Sequence, residues 1–320
     1  MMRVFESVAA MVGNTPLVEL RTLHTNANVR LFAKLEGQNP TGSIKDRIVL
    51  RILESARSSG ELQPGQRIVE ASTGNTGVAL ALFGRLLGHP VDVCVPESVY
   101  PEIEELLAAY GATIHRVPRQ AGIKSARQVA RTMATQTGAY YLGQFDTEVN
   151  SRTHYETTAA EILADLRDEG GVDAFIAGMG TGGSITGCGR RLKEANARCH
   201  IYGVEPRLGV HVQGLHSLED GFIPPVLDES VLDGKIIVGN RHAFSHARRA
   251  MLQEGIFGGI SSGAVLHAGM RLATRMERGN IVLVFADGGW KYLGTDLWRD
   301  DAPEEQHDTA EDPLDDILWW

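Results

Sequence analysis

Short β-branched runs alternate with amphipathic stretches along most of this chain, and that alternation is what most narrows its fold. Residues 67–71, 91–95, 112–117, 173–177, 200–204 and 280–285 have the length and apolar continuity of strands buried on both faces. Between them, residues 46–58, 102–110, 125–136, 151–166, 185–195 and 243–253 repeat apolar positions at helical spacing; in the first, Val49, Leu53 and Ala56 share one face. Parallel strands need a crossover, usually a helix, so the expected class is α/β with a mostly parallel, doubly wound sheet. Ligands of such sheets lie beyond the carboxyl ends of the strands. Two α/β halves meeting near residues 145–150 are the expected division.

The 320 residues suffice for one large or two medium domains, and 43% hydrophobic with 22% charged residues is the composition of a globular protein. The net charge is −9, and nine acids lie between Asp300 and Asp316 with no Lys or Arg after Arg299. The body is therefore formally neutral, which argues against nucleic acid as a partner and marks residues 299–320 as a separate acidic tail. Cys94, Cys188 and Cys199 are odd in number and far apart, with no C-x-x-C pair and no histidine spacing that builds a zinc site. Reduced thiols and no metal are expected. No signal-like start and no uncharged run of ~18 residues is present, so a cytoplasmic protein without membrane partners is expected.

Four segments interrupt the rhythm with clustered Gly, Ser, Thr and Asn where a strand ends and a helix begins. The first, Asn39-Pro40-Thr41-Gly42-Ser43-Ile44-Lys45-Asp46-Arg47, puts a lysine at a helix start, where the positive field lowers an amine's pKa toward nucleophilic use. Alone, such a lysine is ordinarily a solvated surface residue. The second, Glu70-Ala71-Ser72-Thr73-Gly74-Asn75-Thr76-Gly77, crowds hydroxyls and an amide around a turn whose N–H groups suit a carboxylate. The third, Gly178-Met179-Gly180-Thr181-Gly182-Gly183-Ser184, matches G-x-G-x-x-G, with Glu205 placed like the ribose-binding acid of a dinucleotide site. A nicotinamide oxidoreductase using Gly178–Gly183 therefore competes with a phosphate-monoester site, which Thr181 and Ser184 suit better. The fourth, Gly258-Gly259-Ile260-Ser261-Ser262-Gly263-Ala264, reads alone as a helix N-cap.

Together the four segments, with the opening Met11-Val12-Gly13-Asn14-Thr15-Pro16-Leu17-Val18, resemble the fold-type II pyridoxal-phosphate enzymes, and within them the cysteine synthase and cystathionine β-synthase family. The resemblance runs from about Val12 to Trp298. It implies a tryptophan synthase β-subunit-like fold of two doubly wound (Rossmann-like), three-layer αβα domains: 38–148 as the smaller, 12–37 plus 149–298 as the larger, and 299–320 as the tail. It implies pyridoxal 5'-phosphate held as a Schiff base by Lys45, which is also the catalytic residue moving the α-proton. Asn75 would bond the cofactor's 3-oxygen, Gly180, Thr181, Gly182, Gly183 and Ser184 would cradle its phosphate, and Ser261 would face its ring nitrogen. Ser72, Thr73, Gly74, Thr76 and Gln144 would receive the substrate carboxylate. The implied reaction is β-replacement on O-acetylserine or O-phosphoserine by sulfide or a carrier-protein thiocarboxylate, giving L-cysteine in a cytoplasmic homodimer. A neutral serine at the ring nitrogen leaves less carbanion character in the ring and favours β-elimination over transamination.

Segments 39–47, 254–257 and 289–293 are most similar to the O-phosphoserine-using, sulfur-carrier-dependent cysteine synthase. Where that enzyme has a phosphate-reading arginine, this chain has His216, which lacks the bidentate fork and full charge. Ser72-Thr73 inverts the usual Thr-Ser, Asp146-Thr147-Glu148 replaces the usual Asn-Pro after Gln144-Phe145, and Glu102, Glu104 and Glu105 stand where a basic pair is customary. The terminal Ile317-Leu318-Trp319-Trp320 suggests a tail docking as a lid. Within the same fold, a cystathionine synthase, a diaminopropionate-type synthase or a dehydratase is the alternative; a silent binding module is disfavoured because every chemical position is filled.

Overall fold

The computed structural model describes residues 4–24, 26–97, 99–118, 122–210, 212–295, 298 and 317–319. The chain folds as two compact units, one of Met1–Val12 with Asn39–Asn150, the other of Gly13–Gln38 with Ser151–Trp320. It opens with β1 (Leu17–Leu20) and β2 (Val29–Leu35) of the second unit and then builds the first.

That first unit runs α1 (Lys45–Ser59), β3 (Ile68–Ala71), α2 (Asn75–Leu86), β4 (Val91–Pro96), α3 (Pro101–Ala109), β5 (Thr113–Val117), α4 (Gly122–Thr137) and β6 (Tyr140–Tyr141). Its strands form an all-parallel sheet in the order β5-β4-β3-β6. Successive strand residues point to opposite faces. Ile68, Val91, Val93 and Val95 accordingly join Ile48, Ile52, Leu53, Phe83 and Leu107 in one core, while Val69, Ala71, Cys94 and Val117 meet Ala126, Ala130 and Ala134 in another. Each large apolar side chain so buried contributes about 1.5–3 kcal/mol.

The second unit continues with α5 (Glu148–Glu156), which carries the division, α6 (Thr158–Asp165), β7 (Ala174–Gly178), α7 (Gly183–Ala195), β8 (His200–Pro206), β9 (Gly234–Val238), α8 (Asn240–Glu254), α9 (Ile260–Arg275), β10 (Gly279–Phe285) and β11 (Ile317–Trp319). Its sheet has the order β1-β2-β10-β7-β8-β9-β11. The five inner strands are parallel, and β1 and β11 close the edges antiparallel. Gly263 lets α9 lie on α8 backbone to backbone: a Cβ there would stand 1.9 Å from the Ala243 carbonyl oxygen and 2.5 Å from the Ala247 nitrogen.

Two expectations change. The single helix over 151–166 is broken at Thr157, whose hydroxyl donates to the Thr153 carbonyl at 2.7 Å, a back-bond that bends helices. Strands β1, β2 and β9 went unread because their charged residues mask the period. In β2, Lys34 is wholly buried, its Nζ 2.9 Å from Glu161 Oε2 and 2.7 Å from the Thr15 carbonyl. Of the acidic tail, 299–316 and Trp320 lie outside the described residues, while Ile317 to Trp319 pair with β9, Ile317 opposite Ile236. Among the described residues, no helix is long and apolar enough to cross a membrane. All three cysteines are buried and free.

Candidate active site

Lys45 is the first residue of α1, where the unpaired N–H groups of a helix start concentrate positive potential. The turn before it is fixed from within. Gly42 takes φ 81°, its N–H donates to the Asn39 carbonyl at 2.8 Å, and the buried Asp46 carboxylate accepts the Thr41 N–H at 2.7 Å and the Thr41 hydroxyl. Lys45 stays half-buried among buried neighbours, a setting in which an amine is partly desolvated but reachable.

At the end of β3 the Ser72 hydroxyl turns inward. It accepts the N–H groups of Gly74 (3.1 Å) and Gly77 (2.9 Å), holding the loop so that the first turn of α2 points its N–H groups outward. The Thr76 hydroxyl donates to Gln144 Oε1 at 2.6 Å, and Gln144 Nε2 reaches the Ala71 carbonyl at 3.4 Å. Two segments separated by 68 residues, both expected to meet the substrate carboxylate, thus form one surface. Asp146, in place of the expected Asn, pairs with Arg127 (3.2 Å) and Arg131 (2.7 Å), so this departure is absorbed locally.

Glu70, a residue that sequence reasoning passed over, lies behind that surface. Its carboxylate is fully buried, accepts the Ala71 N–H (2.7 Å) and the Gln144 N–H (3.1 Å), and is pushed up to about 7 by burial, against the pull of those N–H groups and Arg127. Between the ordinary 4.5 and about 7 the folded chain therefore holds a proton that the unfolded chain has released. The stabilisation is complete below pH 4.5 and is lost as pH rises to about 7, by about 3 kcal/mol in all. Glu70→Gln should remove this dependence: the wild-type unfolding midpoint should fall relative to the variant's across that window, and parallel profiles would refute the assignment.

In the second unit the turn after β7 runs into α7 through Gly182, which takes φ 83° and whose Cβ would lie 2.6 Å from that of Leu227. A Cβ on Gly180 would stand 2.9 Å from the Gly214 carbonyl oxygen. One on Gly214 would lie 3.7 Å from Ser261 Oγ, so the glycine turn and Ser261, 80 residues apart in sequence, meet around Gly214. Gly214 carries no motif of its own, and its φ of 84° was not foreseeable. His216 is tied to the same turn, its N–H donating to the Met179 carbonyl at 2.7 Å, and its Nε2 stands 2.9 Å from Asp220 Oδ2.

A family model described as pyridoxal-phosphate dependent enzyme matches residues 8–287. The chain belongs to that family. A cysteine synthase of Staphylococcus aureus is 36% identical over 304 residues, covering 92% of this chain and 98% of its own length. The crystal structure of an O-ureido-L-serine synthase superposes with a TM-score of 0.89 at 33% identity, covering 94% of this chain and 97% of that one. A hydrogen sulfide-producing enzyme from Fusobacterium nucleatum gives a TM-score of 0.86 at 34% identity, covering 91% and 100%.

The chain is thus a pyridoxal-phosphate enzyme of fold type II with the two-unit α/β architecture expected. The dinucleotide reading of Gly178–Gly183 is set aside, and the structure gives a physical reason. Glu205, the candidate ribose ligand, is buried on β8, bound to Lys235 Nζ at 2.9 Å and to the Leu218 N–H at 3.0 Å. The residues present fit the cofactor: the Gly180–Gly182 turn is a cradle that any side chain would fill, and it opens onto a helix start suited to a phosphate.

Proposed function

We propose that this enzyme replaces the β-substituent of an activated L-serine with a sulfur nucleophile to give L-cysteine, and that O-acetyl-L-serine is preferred to O-phospho-L-serine. The reading is carried by the hydrogen-bonded surface of Ser72 to Gly77 with Gln144, an amino-acid carboxylate receptor in a pyridoxal-phosphate enzyme. Likeness to a cysteine synthase supports sulfur as the entering atom.

Bound pyridoxal phosphate supplies an electron sink for carbanion chemistry at the substrate's Cα. Lys45 Nζ takes the proton from that carbon and returns it after the nucleophile has added at Cβ. Thr73, Gly74 and Thr76 orient the carboxylate, Asn75 the 3-oxygen, Gly180 to Ser184 the phosphate, and Ser261 the ring nitrogen. At the leaving-group end, the Asp220 carboxylate beside His216 opposes a dianionic phosphate and tolerates a neutral acetyl group. A homodimer, a cytoplasmic location and a sulfur-carrier partner as alternative donor belong to the same reading.

The test is cysteine formation by the holoenzyme from each serine ester with sulfide and with a carrier thiocarboxylate. O-acetyl-L-serine with sulfide should be fastest, and His216→Arg should raise kcat/KM for O-phospho-L-serine about tenfold or more by adding a charge-assisted hydrogen bond. No cysteine from either ester, with turnover on another nucleophile, would replace this reading by another β-replacement of the same fold. Unchanged ester preference in His216→Arg would remove that residue from the site.

A further inference from the structure

Sequence spacing gives no zinc motif, yet the packing of α8 on α9 gathers three imidazoles. His242 and His246 stand one turn apart on α8 and face the same way. His267 stands one turn beyond Gly263 on α9, and it is the absence of a side chain at Gly263 that brings the two helices close enough for the rings to meet. The His267 ring lies 4.3 Å from that of His242 and 4.6 Å from that of His246, centroid to centroid. One ring nitrogen from each residue falls within 4.8 Å of the others. His267 is buried and the other two are partly so.

Hydrogen bonding settles which nitrogens are available. His246 Nδ1 is 2.9 Å from the His242 carbonyl oxygen, which can only accept, so Nδ1 carries the proton and Nε2 keeps its lone pair. That lone pair points to His267 Nδ1 at 3.4 Å. Two nitrogens bound to a tetrahedral zinc at ~2.0–2.1 Å stand about 3.3 Å apart, so this pair is already at ligating separation. An Nδ1–H bonded to a backbone carbonyl is also the usual way a ligating histidine is oriented. His242 needs to close by about 1.5 Å, within reach of the broad χ2 well of histidine.

We propose that His242, His246 and His267 form a three-histidine site for a zinc-class divalent cation that pins α8 to α9, with the fourth position open to water. Imidazole nitrogens without a carboxylate suit zinc, nickel or copper rather than magnesium or calcium. The Arg249 Nη1, 3.5 Å from His246 Nε2, is the cation that an ion displaces. Its side chain is partly exposed and can turn outward.

Zinc chloride alone is the probe, added to the holoenzyme at neutral pH. One zinc per chain should survive gel filtration and raise the thermal midpoint, and cobalt(II) in its place should give the intense visible bands of a four-coordinate site. His246→Asn and His267→Asn should each weaken zinc binding tenfold to a hundredfold with cofactor absorbance unchanged. A wild-type chain that retains no zinc, or shows only six-coordinate cobalt, overturns the proposal whatever the variants do. So does equal zinc retention in folded His246→Asn and His267→Asn, which would place the metal elsewhere.

Discussion

Lys45→Ala should abolish the covalent attachment of the coenzyme and lower turnover by about 10³-fold or more. Two functions rest on one amine here, and loss of a positioned acid–base group alone removes ~10²–10⁴-fold. The position makes the prediction sharp. Lys45 opens α1 behind a turn that is tied by bonds of Asn39, Thr41, Gly42 and Asp46, so truncation should leave the local fold standing. Borohydride reduction followed by peptide mapping should find the coenzyme on the wild-type peptide containing residue 45 and on no peptide of the variant. Coenzyme found on a different lysine, or wild-type turnover in Lys45→Ala, would refute the assignment.

Gly182→Val should lose the coenzyme, its affinity falling about a hundredfold or more. Two physical costs add at this residue. Its φ of 83° lies where a β-branched side chain is a steric outlier, and the new Cβ would meet Leu227 Cβ at 2.6 Å and Leu227 Cα at 3.0 Å. The turn must move, and with it the N–H groups at the start of α7 that are proposed to hold the phosphate. Gly221→Val is the matched control. Its φ is 81°, but a Cβ there meets nothing within 4 Å, so it carries the backbone strain without the collision. Visible absorbance after dialysis should fall in the first variant and persist in the second; equal loss in both would mean that strain anywhere in this unit suffices.

Much of the candidate site was legible because its parts are local. A turn between strand and helix needs glycines and hydroxyls at fixed offsets, and the Gly42, Gly74 and Gly182 turns occur where three of the four segments placed them, while the fourth, before α9, follows helix α8 rather than a strand. Glu70 lies within one of those segments, but nothing in a sequence says whether a carboxylate at a strand end faces water or is buried under two N–H groups. The lysine in β2 is hidden for the same reason: its charge argues against a buried strand until Glu161, 127 residues later, is seen beside it.

By itself the sequence determined the α/β class, the parallel order implied by alternating elements, the four glycine turns and the family, because each is set by short-range chain geometry. Only the tertiary structure decided that Thr76 bonds Gln144, that Gly214 joins the glycine turn to Ser261, that Glu205 is held by Lys235, and that three histidines of α8 and α9 meet. These are contacts between segments far apart in the chain, fixed by which helix face packs on which strand. No local pattern encodes them, because the same turn or helix keeps its own geometry whatever partner it meets.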